Sequence, residues 1–216
     1  MTSGELLGFA YRFEAGPGDR TLLLLHGTGA DENDLIPLGR AVEPTAKLLS
    51  PRGRVLENGM PRFFRRFAEG VLDIEDMQER THELAGFVAA ARTEHELDTS
   101  NVVGLGYSNG ANIGASLLML HPQILSGAVL LRPMFPYEPD ESPDLAGLPV
   151  FIASGRNDPL IPVEEPERLA EMLRGFGAEV DLRWSDGGHP LGSDEVDAAA
   201  GWMADALGTN GWRAHH

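Results

Sequence analysis

At 216 residues and 42% hydrophobic, the chain is long enough for one domain spanning residues 1–216 and apolar enough to exclude wholesale disorder. The absence of cysteine excludes a disulfide scaffold, a thiolate metal site and a cysteine nucleophile together. Seventeen basic against 33 acidic residues leave a net charge of −16, which argues against a nucleic-acid partner or an anionic membrane surface.

In chain order, residues 8–14 read as an antiparallel edge strand and residues 20–26 as the first buried strand. Residues 46–50, 101–106, 127–131, 149–154 and 179–184 read as further strands. Several are continuously apolar rather than alternating, as expected of parallel strands covered on both faces. Leu84, Phe87, Val88 and Ala91 mark a helix within residues 74–97. Small residues from Ala111 to about His121 suggest a second helix. Leu169, Met172, Leu173 and Phe176 mark a third, stopped by Gly175 or Gly177. Val196, Ala199, Ala200, Met203 and Leu207 mark a last helix, capped by Ser193 or Asp194. Strand–helix alternation over this length predicts a doubly wound, mostly parallel α/β sheet with helices on both faces. Residues 133–149, with five prolines, read as a long loop.

No stretch approaches the ~20 apolar residues of a membrane span. Residues 1–5 carry no basic leader before an apolar core, so a cytoplasmic location is the expectation. Sixteen of the 17 basic residues are arginine, with Lys47 the exception. That bias fits a salty cytoplasm that screens an acidic surface, and equally a GC-rich coding sequence.

The chemistry-bearing motif is Gly106-Tyr107-Ser108-Asn109-Gly110, a G-x-S-x-G with a strand leading in and a small-residue helix leading out. This is the pattern of a nucleophile elbow, which presents a serine at a sharp strand-to-helix turn. A dinucleotide-binding turn fits less well. Asn109 stands where its third glycine belongs, and no acid occurs from Gly110 to Met134. A phosphate-binding P-loop needs lysine before Ser or Thr, whereas Lys47 precedes Leu48. His82-Glu83 and His95-Glu96 begin H-E-x-x-H, but Gly86 and Thr99 occupy the second ligand position. No metal site is expected, and both histidines read as exposed helix residues.

A serine needs a base, and the base an orienting acid. His189, in the loop Asp186-Gly187-Gly188-His189-Pro190, follows a strand and precedes the last helix. His121 is tied to the elbow helix, and His215 and His216 end the chain. Asp158 lies in the loop at the C-terminal end of an apolar strand, where ligand chemistry collects in open α/β sheets. Its competitors are Asp181, facing outward on a strand, and Asp186, on the histidine's own loop. The expected oxyanion donors are the N–H groups of Asn109 and of Thr28, within His26-Gly27-Thr28-Gly29. His26 is expected to shape that loop by hydrogen bonding.

With these loops in order, the chain resembles the phospholipase/carboxylesterase family of small α/β-hydrolases, which includes the acyl-protein thioesterases. The likeness covers residues 22–207 and leaves no room for a large lid domain. The resemblance implies a triad of Ser108, Asp158 and His189, oxyanion donors at Thr28 and Asn109, and no cofactor. Asn109 departs from the glutamine usual in the thioesterase branch. The elbow and residues 51–67 look instead like a bacterial and archaeal carboxylesterase branch, some of whose members are associated with quinone or aromatic-compound stress.

The segment Pro61-Arg62-Phe63-Phe64-Arg65-Arg66-Phe67 is the best clue to substrate. Phe63, Phe64 and Phe67 could wall an acyl or aryl pocket, while Arg62, Arg65 and Arg66 could hold a carboxylate or phenolate. Its alternative is a lid whose phenylalanines join the core and whose arginines pair with Glu69, Asp73 or Glu75. Met134 and Phe135 are further wall candidates. The expected function is a serine hydrolase cleaving small acyl or aryl esters or thioesters, with the homodimer common among small lidless hydrolases left open. The alternatives are a non-catalytic small-molecule binder on the same fold and a dinucleotide-using oxidoreductase.

Overall fold

The computed structural model describes residues 2–98 and 100–208; His215 and His216 lie outside them. Among the described residues are eight strands of a central sheet, two short hairpins and five α-helices. In chain order the sheet strands are β1 (Thr2–Leu6), β2 (Phe9–Glu14), β3 (Thr21–Leu25) and β4 (Lys47–Pro51). The hairpins pair β5 (Val55–Glu57) with β6 (Met60–Arg62), and β7 (Arg66–Ala68) with β8 (Val71–Leu72). The remaining sheet strands are β9 (Val102–Tyr107), β10 (Gly127–Leu131), β11 (Pro149–Gly155) and β12 (Glu179–Ser185). The helices are α1 (Ile36–Val42), α2 (Ile74–Glu94), α3 (Asn109–Leu120), α4 (Glu164–Gly175) and α5 (Ser193–Ala206).

The sheet order is β1-β2-β4-β3-β9-β10-β11-β12. From β4 to β12 neighbours run parallel, and β1 and β2 add antiparallel strands at one side. The doubly wound α/β fold expected from the alternation is therefore present, without a large lid. Leu22 to Leu25 explain why the buried strands lack alternation. Leu23 and Leu25 enter the core shared with α2, α3 and α4, while Leu22 and Leu24 enter the one shared with α1 and α5. Both faces need apolar side chains, so every position is apolar.

Four local expectations change. Residues 9–14 are not the edge: β1 pairs outside β2, through a turn with positive φ at both Leu7 and Gly8. The last helix is capped at Gly192 rather than Ser193 or Asp194; the Glu195 side chain reaches back to the Gly192 N–H at 2.9 Å. Helix α1, the β7–β8 hairpin and the β5–β6 hairpin stand where no element was predicted. The latter hairpin turns on Asn58 (φ 52°) and Gly59 (φ 82°), the two left-handed residues that a tight hairpin matched to strand twist requires. His95 is not an exposed helix residue. Its ring stacks on Phe13 at 3.9 Å, and its Nε2 meets the Tyr11 hydroxyl at 3.1 Å.

Candidate active site

At the junction of β9 and α3 the backbone turns through Ser108, at φ 52° and ψ −114°. A non-glycine residue in this region is strained and persists only where its surroundings dictate it. Here the Ser108 N–H donates to the Leu131 carbonyl at 2.8 Å, and the Ser108 carbonyl accepts from Asn112 at 3.0 Å. The flanking glycines let α3 sit against the sheet. A Cβ on Gly106 would lie 2.5 Å from the Gly110 carbonyl oxygen, and one on Gly110 would lie 1.9 Å from that of Leu25. No side chain fits either place.

The loops after β11 and β12 bring the other two groups. They are laced together by Arg156 N–H to Ser185 O (2.8 Å) and Asn157 N–H to Gly187 O (3.1 Å). His189 Nε2 is 3.1 Å from Ser108 Oγ, and its Nδ1 is 2.8 Å from Asp158 Oδ2. The Asp158 side chain is 1% exposed, and its other oxygen accepts the Leu160 N–H at 2.8 Å. With that carboxylate at Nδ1, the Nδ1–H tautomer leaves Nε2 free to accept from the serine. The Tyr107 hydroxyl donates to the His189 carbonyl at 3.0 Å. Of the rival acids, Asp181 pairs with Arg183, and Asp186 meets Asn157 Nδ2 through its carbonyl.

Thr28 and Asn109 share the cavity wall with Ser108 and His189. Asn109 opens α3, so its N–H has no helical carbonyl a turn earlier to take it. The loop carrying Thr28 is held from two sides. Gly29 N–H donates to Pro61 O at 2.9 Å, and Arg62 Nη1 donates to Thr28 Oγ1 at 2.8 Å. His26, wholly buried, accepts the Gly53 N–H at Nε2 (2.9 Å), with Nδ1 2.7 Å from the Gly27 carbonyl. Both ring nitrogens are thus engaged in shaping the loop rather than with the serine. The Asn109 side chain accepts the Phe63 N–H at 2.8 Å, pinning the segment after β6 to the elbow.

The cavity measures about 640 Å³. Leu35, Leu72, Tyr107, Met134, Leu160 and Ile161 supply much of its apolar wall, and Arg62, Arg66, Asp34, Glu69 and Asn112 its polar one. Of the predicted wall residues, Met134 reaches it. Phe63 and Phe64 do not: at 2% and 0% exposure they belong to the core between the sheet and α2. Phe67 is 75% exposed. Arg65 points outward and pairs with Asp73 at 3.1 Å. Phe135 packs against the core with the Arg168 guanidinium 3.7 Å above its ring. Arg62 and Arg66, named only as an anion-holding possibility, both line the cavity, and both pair with Glu57. Among the described residues no cluster of three or more His, Asp or Glu could hold a metal ion, and no helix is long and apolar enough to cross a membrane.

A family model described as Phospholipase/Carboxylesterase matches residues 13–205. A Bacillus subtilis (strain 168) protein named "Putative hydrolase MhqD" is 50% identical over 195 residues, covering 90% of this chain and 98% of that one. Among solved structures, the Bacillus cereus carboxylesterase has a TM-score of 0.89 at 48% identity, covering 92% of this chain and 94% of its own. The structure of YahD with malic acid has a TM-score of 0.86 at 31% identity, covering 92% and 99%.

Proposed function

The chain belongs to the phospholipase/carboxylesterase family and is a hydrolase, and from that premise we propose a serine esterase working through an acyl-enzyme intermediate. The observation that carries this reading is the continuous hydrogen-bond line from Asp158 Oδ2 through His189 to Ser108 Oγ, at 2.8 and 3.1 Å. His189 Nε2 takes the serine proton as Oγ attacks the ester carbonyl. The carbonyl oxygen becomes an oxyanion facing the N–H groups of Thr28 and Asn109 at the N-terminus of α3, where the helix dipole favours negative charge. His189 then returns the proton to the leaving alcohol or thiol. Water enters, gives a proton to His189 and its oxygen to the acyl carbon, and the acid leaves as Ser108 regains its proton. Asp158 fixes the imidazole tautomer and balances the imidazolium. Each oxyanion donor is worth about 10²–10³ in turnover. No step calls on a cofactor.

The substrate class we propose is a small acyl or aryl ester or thioester. A cavity of about 640 Å³ lies within the range of roughly 300–1,000 Å³ that takes compact ligands. Its apolar side suits the body of an acyl or aryl group. An acid-bearing acyl group would meet Arg62 and Arg66, and the related YahD structure contains malic acid. Both arginines already share Glu57, so such a carboxylate has a competitor.

A fluorophosphonate probe and a panel of neutral and carboxylate-bearing p-nitrophenyl and thioester substrates test the reading on wild type and Ser108→Ala. The expected result is labelling and turnover in wild type, with turnover reduced on the order of 10⁶-fold in the variant. Folded wild type that takes no label and hydrolyses nothing would favour the non-catalytic binder. Labelling that persists in Ser108→Ala would move the nucleophile elsewhere.

A further inference from the structure

Directly after the apolar strand β10, where the pattern calls for another core residue or a polar loop, stands Arg132 with 0% exposure. Its φ is 57°, and its N–H donates to the Ala153 carbonyl of β11 at 2.8 Å, which turns its side chain back under the neighbouring loops. An arginine so buried is costly unless its N–H groups and its charge are matched. Nη1 donates to Glu195 Oε1 at 2.5 Å and Nη2 to Glu195 Oε2 at 2.8 Å, a two-pronged pair. Nε donates to the Gly188 carbonyl at 2.9 Å, and Nη2 also to the Pro190 carbonyl at 3.2 Å. Those carbonyls flank His189 on either side. One rigid guanidinium therefore holds both ends of the residue that carries the imidazole. Its Nε is also 3.9 Å from Asp158 Oδ2, the oxygen that faces the imidazole.

We infer that Arg132 and Glu195 form a buried clamp that positions His189 and sets the charge against which its imidazole works. The inference rests on the esterase reading above. The charged and titratable groups around the imidazole are Asp158 on the loop after β11, Arg132 after β10, Tyr107 on β9 and Glu195 on α5; Asp34, Arg62, Arg66 and Glu69 line the same cavity, and Asp186 stands on the imidazole's own loop. Within the buried layer one cation meets two carboxylates, leaving a single negative charge. The imidazolium formed when His189 takes the serine proton cancels it. Glu195 is ionised: burial opposes its charge, but the hydrogen bonds from Arg132 and the Gly192 N–H and the arginine's own charge outweigh that and hold its carboxyl below the ordinary range. Tyr107, pushed up chiefly by burial, stays neutral and acts as a donor.

This arrangement separates positioning from plain structural support. Glu195→Gln removes one negative charge from behind the imidazole while keeping the shape. It should move the acid limb of the pH profile for fluorophosphonate labelling to lower pH by about half a unit or more. Glu195→Asp keeps the charge but shortens the reach. It should slow labelling at least several-fold while leaving that limb in place. Arg132→Gln, where it folds, should shift the limb the opposite way. Variants that lose thermal stability yet retain the wild-type limb and labelling rate would reduce the pair to a structural brace and overturn the inference. Wild type that takes no label at all would instead remove the esterase reading on which it rests.

Discussion

Replacing His26 with glutamine should flatten the response of stability to acid. The His26 ring is wholly buried, and its Nε2 accepts the Gly53 N–H at 2.9 Å, so in the folded state that nitrogen carries no proton. Burial pushes the imidazole below its ordinary value; the Gly27 carbonyl and the charges of Asp34, Asp31 and Glu32 pull upward without cancelling it. A base with a lowered folded pKa binds fewer protons folded than unfolded. Its contribution is therefore complete above the unfolded value of about 6.5 and is lost as pH falls toward the folded one. Protonating Nε2 turns it toward the Gly53 N–H as a second donor, and a buried donor without an acceptor costs about 1–3 kcal/mol. Glutamine keeps an acceptor at similar reach and does not titrate. Urea unfolding of wild type and His26→Gln at steps between about pH 8 and pH 5.5 isolates this residue, because every other titration is common to both. The stability difference should move against wild type by up to about 1.4 kcal/mol across that range, the linkage limit for a group with an unfolded value of about 6.5. A difference that stays constant refutes the reasoning.

Gly110→Ala should not yield a native fold, since the new Cβ would stand 1.9 Å from the Leu25 carbonyl oxygen; circular dichroism with a wild-type melting point would contradict this. Phe64→Ala should lower stability by about 3–5 kcal/mol in chemical denaturation while leaving acyl-chain preference unchanged, because the ring fills the core and not the cavity wall. A shifted chain-length preference at unchanged stability would put the ring back in the pocket.

How much of this was legible in the sequence depends on whether a feature has a local cause. The elbow does: Gly106 and Gly110 are glycine because backbone carbonyls occupy the space of a Cβ, and that leaves a fixed spacing around Ser108. The strands do as well, since burial on two faces demands unbroken apolar runs such as Leu22–Leu25. The β5–β6 hairpin has a local signal as well, the Asn58-Gly59 pair at its turn. The pocket wall had none. Phe63, Phe64, Arg65 and Arg66 are consecutive, yet two face the core, one faces solvent and one the cavity. Which goes where is decided by Asn109 pinning the Phe63 N–H and Asp76 accepting the Arg65 N–H at 2.7 Å, contacts across 46 and 11 residues. Composition could suggest the ingredients of a pocket but not their facing.

The arginine bias has a structural correlate of the same non-local kind. Arg132 serves Glu195 and two carbonyls at once, and Arg62 reaches Thr28, the Phe64 carbonyl and Glu57. Arg52 grips both oxygens of Glu32, and Arg66 both of Glu57. A lysine ammonium is a point charge and could not span such partners in fixed directions. Because the stretches carrying Thr28 and His189 have no strand or helix of their own, what fixes them is donors aimed at particular carbonyls and carboxylates. A planar fork loses less entropy per bond in that task than a flexible amine. The arginines at the site therefore have a physical reason to be arginine, whatever drove the bias elsewhere on the surface. Arginine-to-lysine changes at positions 62 and 132 should accordingly loosen the loops carrying Thr28 and His189, although the net charge of the chain is unaltered.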